Sequence, residues 1–328
     1  MKSPTVFYCA ADQAGRWLRD ERLLALIRFD SRDATDAEPR VCTVALDELG
    51  GTRTVEIWLG ARPARAGDAE GMRHASDGEA LVLQARVDEY APDALQPLTA
   101  VLYRRLFAKA RALGYPHLLR VWNYFPDINR ECEGLERYRA FCAGRHQVLA
   151  AESAEYETRL PAASAIGAHG PGLRVYALAA RTPGVQIENP RQVSAFRYPR
   201  QYGRRSPSFS RAVLQDWVQG QRHLYISGTA SIVGHASRHD QLLPQLDETL
   251  ANLEALLAEA NRRTTAPLTL ALLKIYVRPE IDPLPLRARI GARFGDGAAL
   301  LFLRADICRR ELLIEIEGLA ISAAVNPA

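Results

Sequence analysis

An α+β fold built twice over is what this chain of 328 residues predicts. Its composition is 48% apolar with charge scattered throughout, which is what a packed globular protein with a sizeable core requires. Segments with the period of a strand alternate with segments with the period of a helix. The same order of strand, helix, strand, helix and strand pair occurs in residues 79–181 and again in 223–321. Each amphipathic helix is expected to cover one face of a sheet.

Taken in order, residues 30–75, including DSRDATDAEPR and RPARAGDAEG, are polar and punctuated by Gly and Pro, and predict two exposed loops around the strand TRTVEIWLG. EALVLQARVDEY then predicts a strand, PLTAVLYRRLFAKARALGYP a helix stopped by Gly114 and Pro116, and HLLRVWNYF a buried strand. The turn FPDIN, the helix GLERYRAFCAGRHQVL and the strand pair in SAIGAHGPGLRVYALAAR complete the first unit. Pro and Gly punctuate residues 181–196, and the join is placed there, giving units 1–183 and 184–328. HLYISGTASIVGH, PQLDETLANLEALLAEANRR and LTLALLKIYVRP repeat the strand, helix and strand. The turn RPEID, the helix PLRARIGARF and the strands of AALLFLRADICRRELLIEIEGLAI follow. Leu246, Leu250, Leu253 and Leu257 recur at helical spacing and predict a core stripe.

Several function classes are excluded. Arg16 interrupts the N-terminal stretch before any long apolar region forms, and no window approaches a membrane span, so a soluble, untargeted protein is expected. The 5 cysteines, Cys9, Cys42, Cys132, Cys142 and Cys308, are odd in number, dispersed and never spaced as CxxC. They argue against a disulfide framework or zinc site and for a reducing cytoplasm. The net charge of +4 rests almost wholly on Arg, Lys2, Lys109 and Lys274 being the only lysines, and the Arg residues are interleaved with Asp and Glu. No basic block with aromatic interleaving suggests a nucleic-acid partner.

Three stretches could carry chemistry. LYISGTASIVGHASRHD sets His235 and His239 four apart but in a loop and without the glutamate of HExxH. Its SGTAS lacks both the nucleophile elbow and the phosphate-loop ending, so Ser227 and Ser231 read as loop-shaping hydroxyls. In LLIEIEG, Leu313, Glu315 and Glu317 share one face of a strand, either a half-solvated face or carboxyls held at a cleft, where partial burial favours the acid form. YPRQYGRRSPSFSR gathers Tyr198, Tyr202, Arg204, Arg205 and Arg211 around Gly203 and Pro207. It reads as solvated surface, or as a loop pinning a small anion if it lies against a cleft.

RVWNYFPDIN, GLERYRAFCAGR, YPRQYGRRSPSFSRA, LYISGTASIVGH and CRRELLIEIEG together resemble the chorismatases, from about residue 100 to the C-terminus. KIYVR and LLIEIEG are also similar to the wider RidA/YjgF superfamily, which implies two tandem RidA/YjgF-like (chorismate-mutase-like) units, each a mixed sheet backed by two helices. The resemblance implies cleavage of the enolpyruvyl ether of chorismate to pyruvate, with Glu315 as the acid that protonates the methylene carbon and with no metal or organic cofactor. Two carboxylates on the substrate call for fixed cations, for which Arg145, Arg205, Arg211, Arg278 and Arg304 are candidates, with Tyr202 beside them. Cys308 and Gly228, the latter leaving room beside the substrate ring, resemble the members that form 3-hydroxybenzoate. Hydrolysis to a dihydroxycyclohexadiene carboxylate, formation of some 4-hydroxybenzoate, a RidA-like enamine or imine deaminase, and a non-catalytic binding protein stay open. For the deaminase, Leu300 stands where its arginine would fall. The implied assembly is a monomer or a trimer.

Overall fold

The computed structural model describes residues 3–32, 36–51, 53–89, 91, 94–152, 155–217 and 221–323; residues 33–35, Thr52 and Tyr90, which fall in segments assigned above, lie outside these. The chain opens with β1 (Thr5–Ala10), α1 (Ala14–Leu18), β2 (Leu23–Phe29), β3 (Val41–Val44), β4 (Asp47–Glu48) and β5 (Thr54–Leu59). Next come β6 (Arg65–Ala69), β7 (Met72–Ser76), β8 (Ala80–Val87), α2 (Leu95–Ala112), β9 (His117–Phe125), the hairpin β10 (Glu131–Cys132) and β11 (Leu135–Glu136), α3 (Arg137–Glu152), β12 (Ala162–Gly167) and β13 (Leu173–Ala180). The rest is β14 (Val185–Ile187), β15 (Ala212–Asp216), β16 (Arg222–Ala230), the hairpin β17 (Ile232–Val233) and β18 (Ala236–Ser237), α4 (Leu242–Asn261), β19 (Leu268–Val277), α5 (Leu284–Phe294), β20 (Ala299–Arg304), β21 (Asp306–Ile307) and β22 (Ile314–Ser322).

The duplication is visible in strand order. One seven-stranded sheet contains the run β12-β9-β13-β8, and the other the run β20-β19-β22-β16. In each, a helix joins a parallel pair, β9 to β12 through α3 and β19 to β20 through α5, and the last strand inserts antiparallel beside the first two. The sheets also exchange ends: β21 of the second unit pairs with β12, and β4 of the first pairs with β20.

Apolar stripes explain the layering. Leu102, Tyr103, Leu106 and Phe141 of α2 and α3 seal one face of the first sheet, and Leu246, Leu250, Leu253, Leu256 and Ile290 of α4 and α5 seal one face of the second. Leu256 joins the buried stripe, and Leu257 packs against it partly buried. The opposite sheet faces meet in a shared core with Trp122, Tyr176, Tyr225, Leu272 and Leu319, and into it the four-stranded sheet β1-β5-β2-β3 adds Ile27, Val44 and Trp58.

That third sheet corrects the reading of residues 30–75 as two loops around one strand. β3 is a fully buried VCTV strand, and Arg65–Ser76 forms the β6–β7 hairpin. A four-residue strand with both faces covered shows no alternation, so the period-2 signal is absent from the sequence. Among the described residues no helix is long and apolar enough to cross a membrane.

Candidate active site

The chemistry gathers on the inner face of β22, where Glu315 and Glu317 are 4% and 3% exposed. The strand is therefore not half-solvated. Its antiparallel neighbour β19 reads KIY against EIE: register sets Lys274 opposite Glu317 and Tyr276 opposite Glu315. This pairing makes two like residues unlike. Glu317 accepts from Trp122 Nε1 at 2.7 Å and lies 3.2 Å from Lys274 Nζ through one oxygen; its other oxygen accepts from Arg120 Nη2 at 2.7 Å and Ser164 Oγ at 2.5 Å. Burial alone would raise its pKa, but Lys274 and Arg120, together with the hydrogen bonds from Ser164 and Trp122, outweigh burial and hold it below the ordinary carboxylate value. Lys274 is shared with Glu56 of β5 at 2.8 Å. Two carboxylates and two cations thus close a balanced buried cluster.

Among the described residues, no cation pairs with Glu315 as Lys274 and Arg120 pair with Glu317. Burial, and then the charge of Glu317, push the pKa of Glu315 from 4.5 up to about 8, against weaker opposing effects of Arg120, Cys308 and Arg211. At neutral pH it is chiefly a carboxylic acid, as a proton donor must be. Cys308 Sγ lies 3.9 Å from Glu315 Oε2, and burial and then Glu315 raise the thiol pKa, so it stays a thiol. Gly228 sits where the pairing of β16 with β22 slips; a Cβ there would come within 1.9 Å of Glu315 Oε1 and 3.2 Å of Ser164 Oγ. The missing side chain makes room for the Glu315 carboxyl, at a position on the cavity wall.

A cavity of about 340 Å³ opens over Glu315, within the size class of small-molecule sites. Its walls come from both units: α3, β12, β16, the segment 198–211 and the segment 308–311. Of the predicted site residues, Glu315, Cys308, Gly228, Tyr202, Arg211 and Arg145 line it together.

Arg145 and Arg211 are both 3% exposed, and Arg145 Nε and Nη2 and Arg211 Nε have no partner among the described residues. Arg211 is held from behind, its Nη2 donating to Val193 O at 2.9 Å and Tyr198 Oη at 2.6 Å. Buried guanidinium groups left short of acceptors cost about 1–3 kcal/mol per unmet bond, so they point to an anionic ligand. Tyr202 places its hydroxyl 3.3 Å from His235 Nδ1.

Arg205, Arg278 and Arg304 are not brought to the cavity. Arg205 flanks a separate depression with Arg200 and Arg204. The Arg278 guanidinium is consumed by Asp306 and by the carbonyls of Leu312, Ile307 and Arg309, so it braces the segment that carries Cys308. Arg304 is exposed and pairs with Glu280 at 2.8 Å.

Arg309 was missed by sequence reasoning: it lines the cavity, keeps Nη2 unpartnered among the described residues, and stacks 4.0 Å from the Tyr202 ring centroid. An arginine in an aperiodic turn carries no signal in sequence. Arg120 and Ser164, also missed, sit inside apolar strand runs that read as core.

Comparison with known proteins bears on this arrangement. Residues 56–179 match the family model described as chorismatase FkbO/Hyg5-like, N-terminal. A 3-hydroxybenzoate synthase of Streptomyces hygroscopicus is 36% identical over 280 residues, 81% of each chain. A chorismatase of the same organism is 36% identical over 334 residues, 97% of this chain and 95% of its own. A chorismatase crystal structure matches with a TM-score of 0.84 and 33% identity, covering 98% of this chain and 99% of that one. Similarity at this level, running through both units and the N-terminal sheet, means that the chain belongs to the chorismatase family.

Proposed function

We propose that the protein cleaves the enolpyruvyl ether of chorismate to pyruvate and 3-hydroxybenzoate. The observation that carries this is a buried carboxyl, Glu315, whose pKa is raised by burial and then by the charge of Glu317, beneath a cavity where Arg145, Arg211 and Arg309 each keep at least one guanidinium nitrogen without an acceptor among the described residues. Arg145, Arg211 and Arg309 hold the two substrate carboxylates, with Tyr202 alongside. Glu315 delivers its proton to the methylene carbon, and the resulting oxocarbenium ion is trapped by water or by the neighbouring ring hydroxyl. Breaking the ether bond then frees pyruvate. Pyruvate and 3-hydroxybenzoate together contain the atoms of chorismate, so the overall change is redox-neutral and consumes no net water. As the ring aromatises it gives up a proton, and the Glu315 carboxylate, with Cys308 at 3.9 Å, is placed to receive it.

Names support the same product: one relative is a 3-hydroxybenzoate synthase and another a chorismatase. Leu300 lies partly buried in the helix-side core, so the arginine on which a RidA-like deaminase depends has no counterpart there.

Purified protein given chorismate without added metal is expected to release pyruvate, followed by coupling to lactate dehydrogenase. Release no faster than in buffer refutes the assignment. Chromatography of the second product separates 3-hydroxybenzoate from 4-hydroxybenzoate and the dihydroxycyclohexadiene carboxylate. Cys308→Ala is expected to shift the mixture away from 3-hydroxybenzoate; an unchanged mixture removes the thiol from the mechanism.

A further inference from the structure

A proton donor that works at neutral pH has to be prevented from ionising, and burial by itself does not secure that when arginines stand nearby. Groups face Glu315 from several sides. Glu317 lies on its own strand, Arg120 on β9, and Ser164 on β12. Arg211 comes from the segment before β15, Cys308 and Arg309 from the turn before β22, Tyr276 from β19, and Tyr138 from α3. Of these only Glu317 is an acid fixed in its charged state, because four donors close on it. The same Ser164 hydroxyl that donates to Glu317 accepts from Arg120 Nη2 at 2.5 Å and from Gly228 N at 3.0 Å. That hydroxyl therefore ties the charged carboxylate to the backbone against which the Glu315 carboxyl rests.

We propose that Glu317 is a positioning residue for the acid Glu315: clamped as a carboxylate by Lys274, Arg120, Trp122 and Ser164, it sets a permanent negative charge two residues along the same strand face and so keeps Glu315 protonated, while Glu56 of the N-terminal sheet completes the cluster by neutralising Lys274. The proposal rests on the reading of Glu315 as the acid. It gives the first sixty residues a part in the chemistry although Glu56 is not in the cavity wall. Without Glu56 the cluster carries one excess positive charge, and without the Glu317 charge it also leaves Arg120 unopposed. Both changes favour ionised Glu315.

The test uses the full chain with Glu317→Gln and, separately, Glu56→Gln. Two measurements apply to each: the pH profile of kcat/KM for pyruvate release, and the titration of the Glu315 carboxyl carbon by NMR of carbon-13 glutamate-labelled protein without substrate. Expected is a basic limb displaced to lower pH by one unit or more in Glu317→Gln, a tenfold loss of kcat/KM at any pH above the limb, with activity recovered at acid pH. Glu56→Gln is expected to move the limb in the same direction by less, and Glu315 should titrate at correspondingly lower pH in both. Should Glu317→Gln fail to fold, Glu56→Gln carries the test. A folded variant whose limb and Glu315 titration both stay at the wild-type position overturns the proposal, as does a uniform loss of rate at every pH. The NMR titration keeps the two readings separate, since it reports on Glu315 whether or not the wild type releases pyruvate.

Discussion

At the scale of the residue, Glu315 and Glu317 show that one residue type on one strand face can be acid and permanent anion at once. Burial and then the charge of Glu317 keep Glu315 an acid, whereas Lys274 across the sheet and Arg120 of β9 offset burial and keep Glu317 an anion. Glu315→Gln is expected to abolish pyruvate release while the fold persists, as circular dichroism would show. The sign of its stability effect follows from the raised pKa. The stabilisation from protonated Glu315 is complete below its ordinary pKa of 4.5 and is lost as pH rises towards about 8. Glu315→Gln is therefore expected to gain thermal stability over wild type through that window, by up to about 1.4 kcal/mol per pH unit, readable from melting curves at several pH values. Gly228→Ala must displace the Glu315 carboxyl, since its Cβ would lie 1.9 Å from Oε1. Pyruvate release is expected to fall by roughly tenfold or more, as misplaced catalytic groups generally cause. Glu315, Cys308, Arg145 and Arg211 were legible through motif resemblance. Arg309 was not, and Arg278 and Arg304 misled because a charge at a strand end looks the same in sequence whether it faces a ligand or, as here, Asp306 and Glu280.

At the scale of the element, helices and central strands were legible because burial on one side imposes a period. Leu246, Leu250 and Leu253 recur along α4 for that reason. Strands buried on both faces are harder: Val41–Val44 carries no alternation and disappeared into a polar segment. α4 also performs a task that no period reveals. Asn252 Nδ2 donates to the carbonyls of Ala230 at 3.0 Å and Ile232 at 2.9 Å, satisfying the backbone where β16 leaves its sheet beside the cavity. β19 carries Lys274 between Glu56 and Glu317. Lys274→Met is expected to cost about 3–5 kcal/mol, the penalty for stranding buried charge, measured as a lowered denaturation midpoint in urea.

At the scale of the whole molecule, three sheets share one core, and the cavity wall draws on both units. Removing residues 1–60 would uncover Trp122, Tyr176 and Tyr225 and strip Lys274 of Glu56. Such a chain is expected to aggregate, seen as loss of the monodisperse peak on gel filtration, and not to yield a smaller active enzyme. The duplication itself was plain in the sequence because each copy repeats the same succession of periods. The exchanged strands were hidden, since a two-residue pairing such as β4 with β20 leaves no pattern. That exchange bears on how the chain emerges from the ribosome. Asp47 and Glu48 wait for Leu303 and Arg304, and Ile166 and Gly167 wait for Asp306 and Ile307. Neither sheet is completely paired until residues 303–307 have been synthesised, so the first unit presents an open strand edge until then and depends on shielding there.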